Sequence, residues 1–90
     1  MKEYKIFWKK SAYKELSFLP VNTYSKILEI VSKLIYEPRP IKSKKLFTLE
    51  NHYRIRIGDY RLIYSISDDK LIIEIIRIGH RKDIYKNFEK

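Results

Sequence analysis

Residues 53–85, YRIRIGDYRLIYSISDDKLIIEIIRIGHRKDIY, restrict the fold more than any other part of the chain. Apolar and polar side chains alternate through the first two runs of this stretch, and a strand sends successive side chains to opposite faces of a sheet. Tyr53, Ile55 and Ile57 therefore face one way, Arg54 and Arg56 the other. In the second run Tyr60, Leu62, Tyr64 and Ile66 share a side, opposite Arg61, Ile63 and Ser65. Gly58 and Asp59 lie between the runs as a two-residue loop with glycine first, the signature of a type II′ hairpin. So short a connection makes the strands antiparallel neighbours and puts Arg61 on the face of Arg54 or Arg56. The third run, residues 71–78, is apolar on both faces apart from Glu74 and Arg77, which predicts a central strand covered from both sides. Cations gathered on one sheet face repel one another, and a partner dense in negative charge relieves that repulsion.

The upstream half supplies something to cover the apolar face. Residues 3–8, EYKIFW, read as a first strand with Tyr4, Ile6 and Trp8 on one side. Ser11 is suited to cap a short helix reaching about Leu19, because its hydroxyl can accept an unpaired amide of the first turn. Ala12, Leu16 and Leu19 mark one buried stripe on that helix. Pro20 ends it and opens a second helix, from Val21 to about Tyr36, with Val21, Tyr24, Ile27, Leu28, Val31, Leu34 and Ile35 at helical spacing. Residues 37–45, EPRPIKSKK, form an extended cationic loop leading to the sheet. Residues 46–49 read as a short strand turn before His52, and residues 67–70 as a polar turn. Ile84 and Phe88, four apart, predict a short C-terminal helix. The expected architecture is α+β: an N-terminal strand and a two-helix hairpin packed on an antiparallel sheet of roughly three to four strands.

Ninety residues make a single domain, 1–90, with one core. The formal charge of +9 favours an anionic partner such as nucleic acid or an acidic protein segment. No run is apolar enough to span a bilayer and the N-terminus lacks a signal-peptide core, so the expectation is a cytoplasmic protein without membrane association. The chain has no cysteine, which removes thiolate nucleophiles and cysteine-bearing zinc sites. Two glycines are too few for a glycine-rich phosphate loop. His52 and His80 lack a nearby carboxylate cluster, and Glu50, Asp59 and Glu74 are scattered. No metal, no cofactor and no paired-carboxylate hydrolase is expected.

The segment with most chemical content is GHRKDIY, residues 79–85, directly after the last strand. A glycine there lets the chain turn sharply and displays His80, Arg81 and Tyr85 at the sheet rim. The plainer alternative is a solvated helix start with Tyr85 packed as a lid. Arg54, Arg56, Arg61 and Arg77 have a plain alternative too, a merely soluble face, although mixed signs would serve solubility better.

RIRIGDYRLIY (residues 54–64) and IIRIGHRKDIY (residues 75–85), behind a strand and a helical hairpin, resemble the RelE/ParE superfamily of type II toxin-antitoxin toxins, in its RelE branch. The resemblance covers nearly the whole chain. It implies a microbial RNase-like fold and a metal-independent mRNA interferase, a ribosome-dependent endoribonuclease that cuts message in the A site. It also implies an acidic RelB-like antitoxin as partner, besides mRNA and ribosomal RNA. Arg54 and Arg56 match the family's paired basic residues, where lysines often stand, and Arg61 matches the strand-three arginine. Arg81 and Tyr85 match the arginine and tyrosine near the C-terminus. Arg61, Arg81, Tyr85 and His80 are thus the expected catalytic set, with Arg54, Arg56, Arg77, Lys44, Lys45 and Lys82 as RNA contacts. His80 enters for its intrinsic pKa near neutrality. Two alternatives stay open: a ParE-like toxin that inhibits DNA gyrase without cutting, and a non-catalytic RNA-binding module.

Overall fold

Gly58 has φ +59°, while Asp59 keeps an ordinary negative φ, as a type II′ hairpin requires. This comes from a computed structural model that describes residues 2–84. The elements in chain order are β1 (Lys5–Trp8), α1 (Lys10–Ser17), α2 (Val21–Leu34), β2 (Ser43–Lys45), β3 (His52–Ile57), β4 (Tyr60–Ser67) and β5 (Ile72–His80). They make a five-stranded sheet in the order β1-β5-β4-β3-β2. The expected α+β architecture is present, with two differences in the sheet. β1 runs parallel to β5, so the sheet is mixed rather than antiparallel, because the helical hairpin carries the chain back over one face before β2 begins. The end of the supposed loop pairs with β3 as β2, adding a fifth strand where residues 46–49 had been expected to contribute one. The expected C-terminal helix and Tyr85 lie outside the described residues.

α1 begins without the Ser11 cap. Lys9 takes the cap position and no side chain caps the helix. The Lys9 amide still donates to the Ile75 carbonyl at 2.9 Å, so the chain leaves β1 attached to β5 and Ser11 falls inside the first turn. Pro20 occupies the cap position of α2, and its carbonyl accepts the Tyr24 amide at 2.8 Å.

Ala12, Leu16, Ile27, Val31 and Leu34 from the helices pack on Ile55, Leu62, Tyr64, Ile73, Ile75 and Ile78 from the sheet. Burying such side chains contributes about 1.5–3 kcal/mol each. The stripe on α2 is narrower than its periodicity suggested: Ile27, Val31 and Leu34 are buried, whereas Val21, Tyr24 and Leu28 remain exposed. Tyr13 and Phe18 are exposed as well.

β5 carries one extra residue opposite the Ile63/Tyr64 step of β4. Ile63 pairs with Arg77 and Tyr64 with Ile75, which leaves Ile76 unpaired. The bulge changes the phase of β5, so Ile73, Ile75 and Ile78 all join the main core while Ile76 packs on the other face against Leu46, Ile63 and Ile84. It accounts for the apolar residues that residues 71–78 place on both sides.

A polar clamp ties the chain before β2 to the end of β4. Arg39 holds the Asp68 carboxylate with two hydrogen bonds, at 3.2 and 2.8 Å, and Asp68 also accepts the Tyr4 hydroxyl at 2.7 Å. Arg39 Nε donates to the Tyr53 hydroxyl at 2.9 Å, and its guanidinium lies 5.2 Å from the centre of that ring. The hydrogen bonds from Arg39 and Tyr4 hold the Asp68 carboxyl down at about 2. Beside it, burial pushes the Tyr64 hydroxyl up to about 12, and that hydroxyl donates to the Pro38 carbonyl at 2.7 Å. A depressed carboxylate stabilises the fold above its unfolded pKa, about 3.9, and that contribution disappears as pH falls through the folded value. Urea midpoints measured from pH 5 to pH 2 are expected to fall less steeply in Asp68→Asn than in the parent; equal slopes would remove the clamp from the account of acid stability.

Candidate nucleic-acid interface

Strand register decides which cations meet. Cross-strand partners share a face, so Arg56 and Arg61, which are paired, lie side by side, and Arg61 in turn pairs with Gly79. One step further in, Lys44, Arg54, Ile63 and Arg77 form a second row across β2, β3, β4 and β5. This is the sheet face opposite the helices. Like charges directly across a strand pair repel, and a phosphate placed between them removes that penalty. Lys45 pairs with Tyr53 and so projects from the helix-side face of the edge strand, apart from the arginines.

The rim beside the first row is formed by the hairpin loop and the end of β5. Arg61 Nη1 donates to the Gly58 and Tyr60 carbonyls at 3.0 and 2.9 Å, which fixes one end of the guanidinium over the loop. Tyr60 pairs with His80, and their rings meet edge to face with centroids 5.8 Å apart. The Arg81 amide donates to the Asp59 carbonyl at 2.7 Å, and Arg81 Nε lies 3.5 Å from the Asp59 carboxylate. Both side chains of that ion pair are more than half exposed, so it holds Arg81 weakly and an outside anion can compete for it. The structure thus brings Arg56, Arg61 and Arg81 to one end of the sheet; His80 lies at the same end but, as the partner of Tyr60, on the helix-side face, away from the arginines it was expected to join. Lys82 is exposed in the following turn.

His80 Nδ1 accepts the Lys82 amide at 3.1 Å, so the neutral ring carries its proton on Nε2. Arg77 is placed differently from the other arginines. It shares the inner row, yet its Nε lies 3.4 Å from Glu15 and its Nη1 donates to the Ile84 carbonyl at 2.7 Å. No local pattern pairs Arg77 with a residue 62 positions away on α1. A cleft of about 460 Å³ between α2 and β3, where Lys26, Lys33 and Lys42 gather with Glu29 and Glu37, likewise has no local signature. Among the described residues no group of three or more histidines, cysteines and carboxylates is placed to hold a metal ion.

Ile84 is fully buried above this face with Leu46 and Ile63. A Cβ added to Gly79 would stand 3.0 Å from Ile84 Cδ1. Gly79→Ala is therefore expected to destabilise by about 1–3 kcal/mol, since a packed neighbour must shift. Urea unfolding checks this, and an unchanged midpoint would show that Ile84 moves aside easily.

A helical hairpin on one face of a mixed sheet is a fold shared with toxins solved in complex with their antitoxins. The archaeal RelE-RelB complex from Pyrococcus horikoshii OT3 superposes with a TM-score of 0.80, at 34% identity, covering 92% of this chain and 99% of that one. The RelB-RelE complex from Methanococcus jannaschii gives 0.72 at 29% identity, covering 91% and 98%. Toxin RelG of Mycobacterium tuberculosis is 30% identical over 84 residues, 92% of this chain and 97% of that protein. Residues 6–85 match the family described as ParE toxin of type II toxin-antitoxin system, parDE. The chain belongs to this RelE/ParE toxin family. No helix among the described residues is long and apolar enough to cross a membrane.

Proposed function

We propose that this toxin is a metal-independent endoribonuclease that cuts mRNA in the ribosomal A site. The observation that carries the reading is the register pairing of Arg56 with Arg61 beside the end of β5, where the chain turns into Arg81, in a member of this family. In the reaction the RNA's own 2′-oxygen bonds to the adjacent phosphorus and the bond from phosphorus to the 5′-oxygen breaks. The products are a 2′,3′-cyclic phosphate and a 5′-OH, so the 2′-proton passes to water and the departing 5′-oxygen takes one from water. Charge grows on the nonbridging oxygens and on the departing oxygen, where fixed guanidiniums stabilise the transition state more than the ground state. Arg61 and Arg81 take that role, while Arg54 and Arg56 hold flanking phosphates with Lys44 and Lys82 nearby. An arginine stays protonated, so neither Arg54 nor Arg56 acts as base. Tyr85 orients the 2′-OH or stacks on a base. Holding message and phosphate in one geometry on the ribosome supplies much of the rate.

The partner is an acidic, RelB-like antitoxin that gains order as it covers the basic face and the apolar residues exposed on the helices. The structures of RelE-RelB pairs support this reading. Ends of transcripts mapped after brief incubation with translating ribosomes are expected to fall at one position of the reading frame and to carry a 5′-OH. Intact message would overturn the nuclease reading.

The family description itself favours a second reading, a ParE-like toxin that traps gyrase on DNA without cutting RNA. Cleaved DNA held by gyrase, with message intact, would establish it.

A further inference from the structure

Glu15 stands on α1, and its side chain is only 31% exposed. Oε1 accepts the Ile78 amide at 2.9 Å, and Oε2 lies 3.4 Å from Arg77 Nε. The need for an acceptor follows from the sheet. β1 pairs with β5 only as far as Ile75, where the Lys9 amide makes the last tie. Beyond that point the outer edge of β5 has lost its neighbouring strand, and a half-buried amide without an acceptor is destabilising. The Glu15 carboxylate replaces the missing strand there.

Arg77 carries the connection onward. With 27% of its side chain exposed, it reaches the Ile84 carbonyl at 2.7 Å, and the Ile84 amide donates to the His80 carbonyl at 3.0 Å. The path runs from α1 through Arg77 to the turn of residues 80–84, which bears His80 and Arg81. Without a carboxylate beside it, the Arg77 guanidinium would be drawn to any phosphate on the same face, and the turn would lose its brace.

We propose that Glu15 is a positioning residue of the nuclease site: it fixes Arg77 as a strut that sets the turn presenting Arg81. The proposal rests on the nuclease reading for its catalytic consequence, while the strut itself is measurable without activity. Single-turnover cleavage of message on ribosomes and native-state amide exchange are compared for the wild type, Glu15→Ala, Glu15→Gln, Arg77→Met and Glu15→Ala/Arg77→Met. A small displacement of a catalytic group costs up to about 100-fold, so Glu15→Ala and Arg77→Met are each expected to lower the maximal rate by roughly 10- to 100-fold with KM nearly unchanged. The double variant is expected to be no slower than either single one. Glu15→Gln, which still accepts the Ile78 amide, is expected to recover part of the rate. In Glu15→Ala, exchange at the Lys82 and Ile84 amides is expected to rise about tenfold while β3 and β4 amides stay protected.

A raised KM with an unchanged maximal rate in Arg77→Met would make Arg77 an RNA contact and overturn the proposal. So would exchange at the turn equal to that of the wild type, or exchange accelerated across the whole sheet. Wild-type protein that leaves message intact would instead overturn the nuclease reading, and the exchange data would still decide the strut.

Discussion

Arg61→Ala is expected to lower the single-turnover rate of message cleavage by about 10²–10³-fold, the loss usual for one preorganised donor to a developing anion. The expectation follows from where the guanidinium sits. Its strand partner is Arg56 and its other neighbour is Gly79, over which Ile84 packs, so it stands at the sheet end from which the chain turns into Arg81. The Gly58 and Tyr60 carbonyls hold one of its nitrogens, which fixes its direction before RNA arrives. Arg61→Lys keeps the charge but loses the planar fork, and should fall between the wild type and the alanine variant. Because Arg61 also braces its own hairpin, melting curves accompany the rates. Slow cleavage by a fully folded variant supports the catalytic role, and an undiminished rate would sink it.

Ile63→Ala is expected to give the largest loss of stability, about 2–5 kcal/mol, from lost transfer energy and the cavity left behind. Ile63 is fully buried, yet it faces away from the main core, in the arginine-bearing row between Arg54 and Arg77. It forms the floor on which Leu46 and Ile84 pack. The cavity would lie directly beneath the turn that presents Arg81, so activity should fall further than the unfolded fraction alone explains. A denaturant midpoint equal to the parent's would show that the second cluster contributes little. For a domain of this size such a loss is a large part of the total.

The hairpin of residues 53–67 was legible because its period-2 alternation and its Gly58–Asp59 loop are local signals that need no partner to be read. From them follow the two-faced sheet and the placing of Arg61 on the face of Arg54 or Arg56; the register makes Arg56 its direct partner. The helices were legible for the same reason, although their surface was not. Periodicity marks Val21, Tyr24 and Leu28 as apolar, but only contact with the sheet separates them from the buried Ile27, Val31 and Leu34. The β5 bulge was hidden because a run rich in isoleucine reads the same whether two layers cover it or its phase changes midway.

Alternation, charge and turn chemistry are carried by neighbouring residues, so the chain alone settled the two-faced sheet, the helical cover and the cationic character of the exposed side. The parallel pairing of β1 with β5, the Arg39–Asp68 clamp and the Glu15–Arg77 contact join residues 29 to 67 positions apart. Folding brings those groups together through loop closure and packing, and no local pattern encodes which of them will touch. That is why the sequence could name Arg77 as a cation on the right face, while only the folded chain could show that it is bound to a carboxylate from a helix.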